Sequence, residues 1–205
     1  MTKVKICGLK RSQDIGYVNE AKPDFAGFIV HVQKSKRNVD VSQLEVLTAQ
    51  LDPQIIPVGI FVDEDPSLVL SLVQRGIIRA VQLHGHEDET YVRQMREALL
   101  QCKGNPLLIQ AFKVRTREDV ERANQSCAQL VLLDGGAGEG KTFDWRLLKE
   151  AKRPYLLAGG LGEENLREAI AQCHPYGVDL SSGAETNGVK DGEKIRRIVS
   201  LVRRL

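Results

Sequence analysis

Long apolar runs, an excess of one charge and paired cysteines are all missing from this sequence of 205 residues. No stretch approaches the ~18 consecutive apolar residues of a membrane-spanning helix. Met1-Thr2-Lys3 leads directly into a strand-like segment instead of the apolar core of a secretory signal. These absences argue against a membrane partner and against export, so we expect a cytoplasmic protein.

The charge of the chain gives no sign of a nucleic-acid partner. The 29 Lys and Arg residues and 27 Asp and Glu residues leave a formal net charge of only +2. A nucleic-acid-binding face needs clustered basic residues, whereas here they are scattered. The densest basic group lies near the end of a predicted C-terminal helix, where positive side chains are favourable.

The four cysteines form no C-x-x-C pair and no Cys/His spacing of the kind that binds zinc; they are Cys7, Cys102, Cys127 and Cys173. Reduced thiols are therefore expected, and no metal site is predicted. No Ser/Pro-rich linker or low-complexity segment divides the chain. Because the length suits one well-buried domain and is short for two, a single domain over residues 1–205 is predicted.

Short β-branched runs alternate with amphipathic segments from end to end. Strands are predicted at 4–7, 25–30, 55–62, 80–83, 107–112, 130–134, 155–158 and 178–180. Helices are predicted at 12–21, 41–50, 66–75, 87–100, 117–125, 144–151, 163–172 and 191–204. Strict alternation with short connections indicates an α/β fold with a parallel sheet. Eight such units predict a (β/α)8 TIM barrel, with an open doubly wound sheet as the alternative.

Polar residues and glycines gather where the predicted strands end. Cys7-Gly8 follows the first strand, His84-Gly85 the fourth and Asp134-Gly135 the sixth. The carboxyl ends of the strands and the loops after them build the active sites of βα barrels. The sequence therefore predicts an active site at this rim.

Two glycine-containing loops predict a phosphate site. Gly159-Gly160 precedes a helix, and Ser181-Ser182-Gly183 follows the last strand. Glycine lets the backbone approach an anion, and helix N-termini present N–H groups to it. Either loop alone would be a tight turn, but barrels often bind phosphate in the loops after strands 7 and 8. A small phosphorylated substrate is therefore expected.

Residues 135–142 fit the P-loop pattern G-x-x-x-x-G-K-[ST] and follow a strand. A P-loop needs a long helix that begins at its Gly-Lys-Thr. Here Phe143-Asp144-Trp145 intervenes, and only a brief helix precedes Pro154. A glycine-rich loop over a barrel mouth explains the same residues, and a nucleotide-binding protein is the remote alternative.

The individual candidates for chemistry differ in strength. A lone cysteine in a strand such as Cys7 is usually a small buried hydrophobic residue, whereas Asp134, after four apolar residues, is out of place unless it faces the barrel mouth.

Lys5 shares a strand face with Cys7 and needs a partner if buried. We predict that this partner is Asp179 on the last strand, which neighbours the first in a closed barrel. His84 is interpreted as structural or orienting.

Several segments together resemble the phosphoribosylanthranilate isomerase family over the whole length of the chain. They are Lys5-Ile6-Cys7-Gly8-Leu9, Ser35-Lys36-Arg37, Val81-Gln82-Leu83-His84-Gly85, Gly140-Lys141-Thr142-Phe143-Asp144-Trp145, Ala158-Gly159-Gly160-Leu161 and Val178-Asp179-Leu180-Ser181-Ser182-Gly183. The resemblance implies a cofactor-free enzyme of tryptophan biosynthesis, a monomer or homodimer. Its reaction is the Amadori rearrangement of N-(5-phosphoribosyl)anthranilate to 1-(2-carboxyphenylamino)-1-deoxyribulose 5-phosphate.

The same resemblance implies roles for individual residues. Cys7 corresponds to the general base, Asp134 to the general acid and Arg37 to the arginine that pairs with the anthranilate carboxylate. The loops after strands 7 and 8 correspond to the phosphate site. The predicted substrate-binding residues are Arg37, Gly159, Gly160, Asp179, Ser181, Ser182 and Gly183. The chain departs from many members at 137–140, where it reads Ala-Gly-Glu-Gly, which bears on loop mobility and turnover.

The implied chemistry sets requirements on these groups. A thiolate at Cys7 needs its pKa lowered by positive charge, which Lys5 or the amides of the rim glycines could supply. Asp134 must keep a proton, which partial burial favours. A metal-dependent sugar-phosphate epimerase is the alternative within barrels, but only His31 and His84 are plausible ligands for its metal.

Overall fold

The structure, a computed structural model, describes residues 1–135 and 144–205. Parallel strands close into an eight-stranded barrel, because the first strand pairs with both the second and the last. In chain order we number them β1 to β8: Lys3–Cys7, Phe25–Val30, Ile56–Phe61, Ala80–Leu83, Leu107–Lys113, Leu130–Asp134, Tyr155–Ala158 and Gly177–Leu180. The predicted (β/α)8 barrel is confirmed, and the open sheet is excluded.

Helices connect the strands on the outside of the barrel. Numbered α1 to α7, they are Ser12–Ala21, Val41–Ala49, Pro66–Gln74, Glu89–Leu100, Arg117–Gln125, Leu166–Cys173 and Gly192–Arg203. Asp88 sets the start of α4, two residues later than predicted, because its side chain accepts a hydrogen bond from the Tyr91 amide. None of the helices in the two described ranges is long and apolar enough to cross a membrane.

One predicted helix has a different geometry. The segment predicted as a helix at 144–151 forms a 3-10 helix over Trp145–Glu150, with the Asp144 side chain accepting a hydrogen bond from the Arg146 amide. Six residues followed closely by Pro154 leave little room for an α-helix, and 3-10 geometry is typical of such short pieces.

Three short strands were not predicted. Asn38–Val39 pairs with the end of β2, in the loop that carries Arg37. Glu185–Thr186 and Val189–Lys190 form an antiparallel hairpin directly after β8. Two residues are too few to show an alternating pattern, so periodicity could not reveal them.

The apolar core has two layers. A smaller cluster fills the barrel and takes alternate strand residues, including Leu130 with Leu132 and Leu156 with Ala158. The larger cluster lies between strands and helices, where the buried stripe of α7 packs. Because these side chains fill the barrel interior, the space open to a ligand lies at the carboxyl ends of the strands.

Candidate active site

A cavity of about 360 Å³ opens at the carboxyl ends of the strands. It brings together predicted site residues from five different strands or the loops after them. Its lining comprises Cys7, Ile29, Ile60, Gln82, His84, Lys113, Asp134, Ala158, Gly159, Gly160, Leu161, Asp179, Ser181 and Ser182. One cavity is therefore lined by Cys7, Asp134, Asp179 and both predicted phosphate loops. Two residues of the predicted substrate-binding set, Arg37 and Gly183, do not line it.

The predicted pair between Lys5 and Asp179 is confirmed. β1 and β8 align these residues as register partners, and Lys5 Nζ donates to Asp179 Oδ2 at 3.0 Å. Lys5 is fully buried, and burial opposes its charge, but the attraction of Asp179 and a contact with Cys7 outweigh this and raise the pKa of the lysine. A permanent positive charge therefore lies beside Cys7 in the barrel interior.

Cys7 is buried at the base of the cavity, with 8% of its surface exposed. Burial raises the pKa of its thiol above the ordinary value of 9.0, although Lys5 and Lys190 both act to lower it. The lowered pKa that a thiolate at rest requires is thus not found, because desolvation and the negative charge of Asp179 together exceed the effect of the two cations. The resting side chain is a neutral thiol at pH 7.

Asp134 ends β6 and faces His84 across the cavity, with 3.9 Å between Asp134 Oδ2 and His84 Nε2. Burial lowers the pKa of His84, so the ring is neutral at pH 7. The side-chain amide of Gln82 lies 2.9 Å from His84 Nδ1. When that amide donates to Nδ1, the ring proton is placed on Nε2, the atom towards Asp134. This geometry suits the orienting interpretation of His84.

Gln82 was not singled out from the sequence. It is 1% exposed, and its Oε1 has no hydrogen-bond partner within the described residues. Asp179 Oδ1 is likewise buried and without such a partner there. Both residues line the cavity, so each brings an acceptor to it. A glutamine inside the otherwise apolar β4 was the available signal.

The two glycine loops are in contact with each other and with the candidate acid. Gly159 and Gly160 have φ values of +96° and +63°, in the region that favours glycine. A Cβ on Gly183 would overlap the carbonyl oxygen of Leu161. Gly183 therefore lets the two loops approach each other and lies behind the wall of the cavity.

Asn165 fastens the loop after β7. Its side chain accepts from the Gly162 amide at 2.9 Å and donates to the Gly160 carbonyl at 2.8 Å. An Asn at the start of a helix commonly bonds the local backbone in this way. The loop is thus held by a side chain that sequence reasoning did not select.

Arg37 lies at the rim beside Cys7, and its side chain passes over Gly8, where a Cβ would overlap it. Its guanidinium donates from Nε and Nη2 to the two carboxylate oxygens of Glu185 at 2.6 and 2.7 Å. Lys190 Nζ reaches the same carboxylate at 2.6 Å. Burial opposes the charge of Glu185, but hydrogen bonds from both cations outweigh it and lower the pKa of Glu185 to about 2.

Neither Glu185 nor Lys190 was selected from the sequence. The signal was Asn187-Gly188 between them, a dipeptide typical of two-residue hairpin turns. Both turn residues have positive φ, 52° and 78°, which places Glu185 and Lys190 opposite each other in the hairpin.

The glycine-rich segment after Asp134 lies largely outside the described residues. Residues 136–143 carry most of the P-loop pattern and the departing segment 137–140, and they fall between the two described ranges. Within those ranges, no group of three or more His, Cys, Asp or Glu side chains is placed to hold a metal ion.

A closed barrel with a thiol, a carboxylate and two glycine loops around one cavity at its carboxyl rim defines a (β/α)8-barrel enzyme. A family model for N-(5'-phosphoribosyl)anthranilate isomerase matches residues 4–201. The chain therefore belongs to the N-(5'-phosphoribosyl)anthranilate isomerase family, which confirms the resemblance seen in its motifs.

Individual relatives agree with the family model over full length. The N-(5'-phosphoribosyl)anthranilate isomerase of Endomicrobium trichonymphae is 41% identical over 210 residues, covering 100% of both chains. A solved phosphoribosyl anthranilate isomerase in complex with reduced 1-(o-carboxyphenylamino)-1-deoxyribulose 5-phosphate is 33% identical, with a TM-score of 0.83 and 100% of both chains covered. Monomers generated from the dimeric Thermotoga maritima enzyme are 34% identical, with a TM-score of 0.84 over 100% of both chains.

Proposed function

We propose that Cys7 is the general base and Asp134 the general acid of the family's isomerisation, a step of tryptophan biosynthesis. The substrate is N-(5'-phosphoribosyl)anthranilate, and the product is 1-(2-carboxyphenylamino)-1-deoxyribulose 5-phosphate. The observation that carries this assignment is that Cys7 and Asp134 line one cavity together with the glycine loops after β7 and β8.

Asp134 acts in the first step. A protonated Asp134 delivers its proton to the ring oxygen of the ribose as the bond from C1 to that oxygen breaks. The lone pair of the substrate nitrogen forms the C1–N double bond, which leaves a cationic iminium. Because the substrate's own nitrogen takes up the electron demand, the scheme requires no cofactor.

Cys7 acts in the second step. The iminium acidifies the proton on C2, and the Cys7 thiolate removes it; the released electron pair forms the C1–C2 double bond of an enolamine, and the nitrogen regains its lone pair. The enolamine then loses its hydroxyl proton and gains one at C1, which yields the amino ketone. The resting thiol is neutral, so its proton passes to solvent before this step, and the positive charge of the iminium, together with Lys5, favours the thiolate.

The remaining site residues hold the two anionic ends of the substrate. Backbone N–H groups of the loops at Gly159-Gly160 and Ser181-Ser182 bind the phosphate, with Gly183 allowing their close approach. Arg37 pairs with the anthranilate carboxylate. The unpartnered buried oxygen Asp179 Oδ1 accepts a hydrogen bond from a sugar hydroxyl.

Turnover of phosphoribosylanthranilate tests the assignment directly. Purified protein is mixed with the substrate, and loss of its anthranilate fluorescence is followed for the unmodified chain, Cys7→Ser and Asp134→Asn. Both variants should lose at least ~100-fold in kcat, as expected for removal of a general acid or base. Cys173→Ser and Asp52→Asn are matched controls away from the cavity. Normal turnover by Asp134→Asn would remove the acid assignment, and an inactive unmodified chain would overturn the function.

The assembly and location of the chain are also proposals. The cytoplasm is favoured because the substrate is a phosphorylated biosynthetic intermediate. Monomer and homodimer both agree with the fold, and the Thermotoga maritima relative is a dimeric protein. Sedimentation equilibrium at micromolar concentration distinguishes the two, since one protomer has a mass of 22.8 kDa.

A further inference from the structure

We propose that Glu185 is a positioning residue that orients Arg37 for the aromatic carboxylate of the substrate, and that Lys190 keeps the cluster positively charged. This inference rests on the proposed role of Arg37. The cluster consists of three side chains, Arg37, Glu185 and Lys190, joined by three short hydrogen bonds. It lies where the loop after β2 meets the hairpin after β8.

The hydrogen bonds to Glu185 occupy one edge of the Arg37 guanidinium and leave the other edge for a ligand. A guanidinium has five N–H donors, arranged as two forks that can each grip a carboxylate. Glu185 takes the side fork, made by Nε and Nη2. The end fork, made by Nη1 and the second hydrogen of Nη2, is directed away from Glu185. A second carboxylate can therefore bind Arg37 while Glu185 stays in place.

Holding Arg37 from the side also fixes a flexible side chain. An unrestrained arginine loses rotamer freedom when it binds a ligand, and that loss weakens binding. Here the long aliphatic part lies over Gly8, and the head is clamped by a carboxylate that is itself 6% exposed. Arg37 is thus ordered before the substrate arrives, beside Cys7.

Charge explains why the hairpin supplies a lysine as well as a glutamate. Arg37 and Glu185 alone would form a neutral pair with little attraction for a second anion. Lys190, whose side chain is 1% exposed, adds a positive charge 2.6 Å from the Glu185 carboxylate, so the three side chains together carry +1. Lys190 therefore lets Glu185 hold Arg37 without cancelling the charge that the substrate needs.

The same lysine joins the carboxylate site to the proposed phosphate site. Lys190 Nζ donates to the carbonyl oxygen of Ser181 at 3.0 Å, in the loop after β8. The hairpin thus contacts both proposed anion sites, as a substrate with a phosphate at one end and a carboxylate at the other requires, and the cluster selects for the carboxylate.

Binding of two matched ligands tests this inference without relying on turnover. One is reduced 1-(o-carboxyphenylamino)-1-deoxyribulose 5-phosphate, and the other is the same molecule with an unsubstituted phenyl ring. Calorimetry gives the Kd of each, and their ratio measures selectivity for the carboxylate. The variants are Glu185→Gln and Lys190→Met, with Lys190→Arg as the charge-conserving form. Glu45→Gln breaks an Arg–carboxylate contact of 2.6 Å elsewhere on the chain and is the matched control.

The sign of the Glu185→Gln effect distinguishes positioning from simple electrostatics. Removal of a negative charge would increase selectivity if only net charge mattered, whereas loss of orientation should decrease it about tenfold, as expected for one hydrogen bond to a charged group. Lys190→Met should also decrease it about tenfold, and Lys190→Arg and Glu45→Gln should leave it within about twofold. Thermal unfolding of each variant confirms that the barrel is intact.

The possible failures are distinguishable. If Glu185→Gln leaves the ratio unchanged or raises it while the unmodified chain prefers the carboxylate, the positioning role is wrong and the proposed function stands. If the unmodified chain binds both ligands equally, Arg37 does not recognise the carboxylate. If it binds neither, the proposed function fails.

Discussion

A Cβ on Gly159 would lie 2.8 Å from Oδ1 of Asp134 and 2.7 Å from the amide nitrogen of Gly135. The loop proposed to bind phosphate therefore packs directly on the candidate acid. The φ of +96° at Gly159 lies in a region that other residues rarely adopt. Glycine at this position satisfies both the backbone geometry and the close contact, so the loop after β7 and Asp134 form one structural unit.

Gly159→Ala should disturb both the acid and the phosphate loop. The added methyl group must displace Asp134 or the loop, and we expect kcat to fall at least about tenfold, since small displacements of reacting groups are costly. Gly76→Ala is the control, because Gly76 has a similar φ of +72° but no atom within 4 Å of its Cβ position. Equal kcat values for the two variants would show that contact with Asp134 has no consequence for activity.

Alkylation of Cys7 should be slow at neutral pH and accelerate into the alkaline range. Burial raises the pKa of this thiol above 9.0, so the thiolate fraction is small at pH 7 and grows as the pH rises. Iodoacetamide labelling of the Cys7 peptide, measured by mass spectrometry between pH 6 and pH 10, reports the rate. A rate that reaches its plateau below pH 8 would show instead that the cations lower the pKa.

Lys5→Met should destabilise the barrel by about 3–5 kcal/mol, because it leaves Asp179 buried without its partner. Urea denaturation measures the loss. Replacing both residues, as Lys5→Met with Asp179→Asn, should recover part of it, since no unpaired charge then remains. Lys22→Met removes a surface ion pair with Asp52 and should cost less than about 1 kcal/mol. Similar values for Lys5→Met and Lys22→Met would contradict a structural role for the buried pair.

Gln82→Met should release the His84 ring from a fixed tautomer. The Gln82 amide at Nδ1 places the ring proton on Nε2 in the unmodified protein. Nitrogen-15 chemical shifts of the ring should therefore show one tautomer there and a mixture in the variant. Because burial lowers the pKa of His84, the ring should stay neutral at pH 7 in both. A protonated ring at pH 7 would contradict this account.

Much of the barrel could be predicted because its signals are local and repeated. Each strand is a short apolar run followed by an amphipathic helix, and every repeat of this pattern independently indicates a parallel βα fold. The Lys5–Asp179 pair followed from two further rules: alternate residues share a strand face, and the first and last strands of a closed barrel are neighbours. A charge in a strand interior then demands an opposite charge in register.

What could not be predicted depends on contacts between distant segments. Glu185 meets Arg37 across 148 positions of sequence, through a hairpin whose strands have two residues each. The protonation state of Cys7 depends on desolvation and Asp179, which raise its pKa, and on two cations that lower it, one of which belongs to that hairpin. A local sequence pattern predicts neither a contact between segments so far apart nor the size of opposing effects on a pKa.

The pairing of β1 with β8 has a consequence for how the protein is made. Lys5 is synthesised 174 positions before Asp179. A chain that ends before Gly177 has no partner for that lysine and no neighbour for the outer edge of β1. Contacts so distant in sequence form late and slow folding. The nascent chain must therefore keep β1 soluble until β8 has been synthesised, and the pocket around Cys7 is completed only at that point.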